Sequence, residues 1–174
     1  RDPDVNHVRQ IVDKLCVLYN MDYRDAELII KDSTFVMSRT GRIRNVVDSN
    51  GIHILSPRLA DGGLSLTVDG ARILHSLRKD PIPTNFESKR KSDCTAKGLA
   101  WIVVDDDAEP FVKQGRSVMH GFVLACDDWT RPDETVLIVN QSGELLAIGR
   151  SQSTPHELST FKKGIAIKVR EGCP

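Results

Sequence analysis

Two short stretches gather residues that could hold an anion. Residues 109–123 read EPFVKQGRSVMHGFV, with Lys113, Gly115 and Arg116 just ahead of an apolar alternation. Pro110 suits the first turn of a helix, where its missing N–H costs nothing. Gly115 suits the left-handed residue that ends one. Lys113 and Arg116 then flank a backbone without a side chain, which a phosphate chain can approach closely. Residues 38–45 read SRTGRIRN. With Thr40-Gly41 as a turn, Arg42 and Arg44 share one face of the following strand and Ile43 points to the other, because strand side chains alternate. Arg39 precedes the turn. Three guanidiniums on one hairpin can clamp phosphate; the same charges also suit a solvated hairpin edge guarded against pairing. Lys168 and Arg170 alternate near the chain's end, with Ile167 and Val169 between them, and add the same sign if that strand lies nearby.

Signatures of catalysis are missing. There is no GxGxxG, Walker loop or HExxH, and no GxSxG elbow, so no cofactor is expected. His7, His53, His75, His120 and His156 are scattered. His120 and Cys126 share one segment that reads as a strand, but no third group is there to orient a nucleophile and its base. Asp105–Asp107 with Glu109 could hold a divalent metal; acids before a helix start are favoured by its dipole and free N–H groups, and that reading is preferred. Cys16, Cys94, Cys126 and Cys173 lie too far apart for CxxC zinc spacing, and no metal site is expected. A disulfide framework is not expected either.

The bulk numbers restrict the ligand further. The 174 residues carry 24 basic and 24 acidic side chains, so no global field draws the chain to nucleic acid. Any such site must come from local clusters. No apolar run is long enough to cross a membrane and no signal peptide stands out. Reduced thiols and a cytoplasmic location follow as expectations. The first residue is Arg1 rather than Met, which suggests a trimmed start or a piece of something longer.

The elements that must position these residues can be read from periodicity. Val5, Val8, Ile11, Val12 and Leu15 have amphipathic helical spacing over 4–19, and a shorter helix covers 23–30. STFVMS, IRNVVD and GIHILS read as strands broken at Thr40-Gly41 and Asn50-Gly51. LSLTVDGARILHSL passes from strand to helix, with Thr67 or Asp69 as its cap. Residues 81–98 hold few periodic positions and a KRK run at Lys89–Lys91, and read as a linker between domains at 1–80 and 99–174. Beyond it AWIVVDD, SVMHGFVLA, ETVLIVN, ELLAIGRS and GIAIKVR read as strands, EPFVKQ as a helical turn and STPHELSTF as a short helix capped by Ser153 or Thr154. The class is α+β: a small α/β domain, then a mixed pseudo-barrel.

EPFVKQGRSVMHGFV, DETVLIVNQSGELLAIGRS and FKKGIAIKVREG, in that order, resemble a PUA domain over residues 99–172. SRTGRIRNV followed by LADGGLSLTVDGARIL is similar to the small domain preceding the PUA domain in archaeal tRNA-guanine transglycosylases, the archaeosine enzymes. The resemblance implies RNA binding without catalysis, with the tRNA acceptor arm as partner. It points to Lys113, Gly115, Arg116 and Ser117, with the last strand alongside. The catalytic barrel and zinc cysteines of those enzymes are absent from these residues, since 174 positions cannot also hold a (β/α)₈ barrel. The leading expectation is a non-catalytic, two-domain RNA-binding protein for tRNA or another structured RNA. Alternatives are the RNA-binding subunit or fragment of a tRNA-modifying enzyme, with a catalytic partner, and a ribosome-linked translation factor.

Overall fold

A computed structural model describes residues 4–79, 82–83, 98–174 and the backbone of 90–91. They form two compact units, Arg1–Leu77 and Arg78–Pro174.

The first unit begins with α1 (Val5–Tyr19), which buries Ile11, Val12 and Leu15. Asp4 caps it by accepting from the His7 N–H at 2.9 Å, and the His7 ring returns the contact to the Asp4 N–H. α2 (Tyr23–Lys31) buries Ala26 and Ile30. Four antiparallel strands follow, paired in chain order: β1 (Thr34–Met37), β2 (Ile43–Val47), β3 (His53–Pro57) and β4 (Leu64–Leu66). Gly41 and Gly51 take positive φ, 76° and 82°, in the first two turns, the conformation that selects glycine. α3 (Val68–Ser76) is capped by Thr67, whose hydroxyl accepts from the Gly70 N–H. Gly70 presses on β3: a Cβ there would run into the Ile54 carbonyl.

The second unit is a seven-stranded mixed sheet in the order β5-β8-β6-β9-β10-β11-β7. The strands are β5 (Arg90–Lys91), β6 (Ala100–Val104), β7 (Val118–Met119), β8 (Val123–Cys126), β9 (Thr135–Val139), β10 (Leu145–Ser151) and β11 (Ile165–Gly172). α4 (Glu109–Lys113) and α5 (Pro155–Thr160) complete it, and α5 is capped by Thr154. SVMHGFVLA is not one strand as expected. The turn His120–Phe122 breaks it, with Gly121 in the middle. The physical reason is closure. β7 pairs with β11 at one end of the sheet, while β8 pairs with β6 near the other. One continuous segment must therefore turn a corner, and doing so curls the sheet into a nearly closed barrel. Ile102, Val104, Val136, Ile138, Leu146, Leu158 and Ile167 fill it.

The stretch expected to be a linker lies mostly outside the described residues, as do the side chains of Lys89–Lys91. Its one described element, β5, adds in parallel to β8. Such an addition uses only backbone groups, so periodicity gives no sign of it. Among the described residues, no helix is long and apolar enough to cross a membrane, and Cys16, Cys126 and Cys173 are free thiols.

Candidate nucleic-acid interface

The first patch is the β1–β2 turn. Arg42 and Arg44 are exposed while Ile43 between them is buried, as alternation requires. Arg39, Arg42 and Arg44 line an open groove of about 740 Å³ with Asn45, Ser56 and Leu59. None of the three guanidiniums has a hydrogen-bond or ion-pair partner among the described residues. β2 is an interior strand, between β1 and β3, so Arg44 does not guard a sheet edge. Sequence reasoning missed the groove's polar wall. Ser56 Oγ donates to Asn45 Oδ1 at 3.0 Å and sits 2.7 Å from His53 Nε2. With its proton given to Asn45, the Ser56 oxygen accepts from His53, which fixes the Nε2–H tautomer. The chain of donors fixes the amide of Asn45 and leaves its NH₂ as a donor beside the arginines. The signal was the spacing of Asn45 and Ser56 on neighbouring strands, which only register reveals.

The second patch is the end of α4. Gly115 has φ 85°. Its N–H donates to the Val112 carbonyl at 2.9 Å, and the Arg116 N–H donates to the Phe111 carbonyl at 3.0 Å. These two bonds are the Schellman pattern that satisfies a helix's last carbonyls. The side-chain contact that accompanies it is polar here: the Arg116 guanidinium lies 5.6 Å from the centre of the Phe111 ring. Phe111 is half exposed, while Val112 is buried. Lys113 pairs with Glu109 at 3.1 Å. Nothing stands within 4 Å of the position a Gly115 Cβ would take, so the backbone there is open.

The last strand does lie alongside. Val118 pairs with Ile167, so Ser117 and Lys168 are the next residues outward on the two adjacent segments. Gly172 is pressed against α4, where a Cβ would strike the Lys113 carbonyl. Lys168 and Arg170 are both exposed and Val169 between them packs on the core, while a bulge at Arg170 ends this alternation, since Ile148 opposes Glu171 and Gly149 opposes Val169.

The other candidates have structural uses. Asp105 caps the turn before α4, accepting from the Asp107 N–H at 3.0 Å. His120 Nε2 lies 3.1 Å from Ser153 Oγ, and Cys126 Sγ points at the Pro155 carbonyl. Among the described residues, no three metal-ligating side chains cluster.

Residues 100–173 match the model of the PUA domain. The second unit is a PUA domain. Residues 23–81 match the model described as the patch-forming domain C2 of tRNA-guanine transglycosylase. The chain is 37% identical over 142 residues to a tRNA-guanine(15) transglycosylase of Thermococcus onnurineus, covering 82% of this chain and 22% of that protein. The corresponding protein of Methanocaldococcus jannaschii is 38% identical over 154 residues, covering 88% of this chain and 21% of that one. The chain thus spans about a fifth of the length of these relatives. In fold it is similar to a hypothetical protein of Pyrococcus horikoshii, with TM-score 0.65, 16% identity and coverage of 99% and 93% of the two chains. It is also similar to a conserved PUA domain protein of Thermoplasma acidophilum, with TM-score 0.62, 15% identity and coverage of 99% and 92%. The α+β class with a PUA pseudo-barrel is thereby established.

Proposed function

We propose that this chain binds structured RNA, with tRNA and its acceptor arm as the first candidate, and performs no chemistry on it. The observation that carries this reading is the groove of the first unit. Three arginines stand along one open face with no acid among the described residues to neutralise them, in a chain whose total charge is zero. Arg39, Arg42 and Arg44 would take backbone phosphates there. Lys113, Arg116 and Ser117, with Lys168 and Arg170 alongside, would take them across the bare backbone of Gly115 in the PUA domain. Recognition would rest on shape, phosphate and 2′-OH contacts, as is general for helical RNA. The cytoplasm is the proposed location.

The transglycosylase relatives act on tRNA by name, and the chain spans only about a fifth of them. That share favours a second, compatible reading: the RNA-holding part of such an enzyme, its catalytic domain elsewhere. Filter binding to deacylated tRNA at several salt concentrations tests the first reading. Affinity should fall as salt rises, with a slope of roughly −0.7 to −0.9 per phosphate neutralised. No binding at low salt would refute it. The intact mass of the protein from its native source tests the second.

A further inference from the structure

Arg150 belongs to neither patch as the sequence suggested them, yet register brings it into line with one. On β10 every residue from Leu146 to Ser151 is buried except Arg150. Arg150 pairs with Lys168 on β11 and with Thr135 on β9. Both cations are exposed, and neither has a hydrogen-bond or ion-pair partner among the described residues. Lys168 in turn neighbours Ser117 across the β11–β7 edge. Thr135, Arg150, Lys168 and Ser117 thus form a row across four adjacent segments, hydroxyls outside and cations in the middle, with no carboxylate in it. Glu171 stands in the neighbouring row, opposite Ile148.

Like charges directly opposite on adjacent strands destabilise a sheet. Here the strands also approach closely: the Cβ missing from Gly149 would lie 2.5 Å from the Lys168 carbonyl. Two like charges paired on adjacent strands are well suited to an anion, whose charge converts repulsion into two charge-assisted contacts. We propose that Arg150 and Lys168 together bind one phosphodiester of an RNA backbone, extending the PUA-domain surface from the Gly115–Ser117 loop across β11 onto β10. Thr135 and Ser117 offer hydroxyl donors at its two ends. The proposal rests on the RNA-binding reading above.

The test uses the whole chain with Arg150→Gln, Lys168→Gln and both together, titrated against deacylated tRNA by filter binding at several salt concentrations. The double variant should bind several-fold more weakly and flatten the salt slope by about 0.7, the contribution of one phosphate. The charge-keeping variants Arg150→Lys and Lys168→Arg should retain the parent slope. In the absence of RNA the double variant should melt no lower than the parent, since it loses a repulsion and no contact. A folded double variant with the parent's affinity and slope overturns the proposal while leaving the RNA-binding reading intact. A flattening of about twice the expected size means separate phosphates and overturns the shared site. A parent that binds no tRNA at any salt concentration overturns both.

Discussion

The two basic patches are built on opposite plans. In the first unit, Arg39, Arg42 and Arg44 stand on a turn and an interior strand with no internal partner among the described residues. In the PUA domain, Lys113 is held by Glu109 at 3.1 Å and Arg116 lies over Phe111 at 5.6 Å. The first patch offers unspent charge on a simple hairpin. The second offers charge already oriented, on a backbone shaped by close packing. The lesson concerns cost. Arginines without partners gain the whole of a new ion contact, whereas Lys113 must exchange one partner for another. Orientation compensates, because side chains already ordered lose less entropy on binding.

The largest expected effect separates the patches by charge. Replacing Arg39, Arg42 and Arg44 together by Gln should flatten the salt slope for tRNA by about 2, and replacing Lys113 and Arg116 by about 1.4, if each cation meets one phosphate. Equal slopes for both variants and the parent would show that neither patch meets the RNA.

A second contrast lies in the glycines. Gly172→Ala places a Cβ against the Lys113 carbonyl, so α4 or the end of β11 must shift. A loss of about 1–3 kcal/mol in chemical denaturation is expected, as for other overpacked sites. Gly41 has a positive φ, 76°, and nothing lies within 4 Å of its missing Cβ. Gly41→Ala should therefore cost only the left-handed strain, about 1 kcal/mol. If the two variants are equally stable, close packing does not shape the second patch.

This contrast also explains what was legible in the sequence. The first patch could be read because a turn dipeptide and alternation suffice to place Arg42, Ile43 and Arg44. The end of α4 could be read from Pro110 and Gly115, which have strong positional meanings. What stayed hidden depends on register. The row containing Arg150 requires knowing that β10 pairs with β11 at Lys168, and the wall of the groove requires that Asn45 faces Ser56. The bulge at Arg170 and the corner at His120–Phe122 arise from closing the barrel, a demand that no local pattern states. The placement of the Phe111 ring against Arg116 at the helix end is likewise set by the turn geometry and not by the apolar pattern.

A smaller effect probes the cost of the second patch. Glu109→Gln removes the acid that competes for Lys113. Glu109 also sits 3.4 Å from the Asn140 amide, a contact that glutamine can keep. Partly exposed ion pairs of this kind are worth about 0.2–1 kcal/mol, so the variant should bind tRNA up to a few-fold more tightly and show a slightly steeper salt slope. Unchanged binding would mean that Lys113 stays out of the RNA contact.

The smallest effect compares one carboxylate from each unit. The Arg58 side chain and the Gly63 N–H hold Asp61 below its ordinary range. Glu157 is lowered chiefly by the Thr154 N–H of its capping box, at 2.7 Å. A carboxylate more acidic in the folded state than in the unfolded chain stabilises the fold above its unfolded pKa. That stability is lost as pH falls through the folded pKa. Asp61→Asn and Glu157→Gln should therefore each lower the melting temperature slightly at neutral pH. The gap to the parent should close as the pH drops below the ordinary carboxylate range. Asp61 is exposed and Glu157 partly so, and the effects on stability should be small. Asp61 depends first on a hydrogen bond from the charged Arg58 guanidinium, which salt weakens, whereas Glu157 depends first on a backbone hydrogen bond. Added salt should shrink the Asp61 effect more than the Glu157 effect. Melting curves of the two variants and the parent, over pH and at two salt concentrations, decide the matter: equal salt sensitivity would show that the guanidinium of Arg58 contributes little to Asp61.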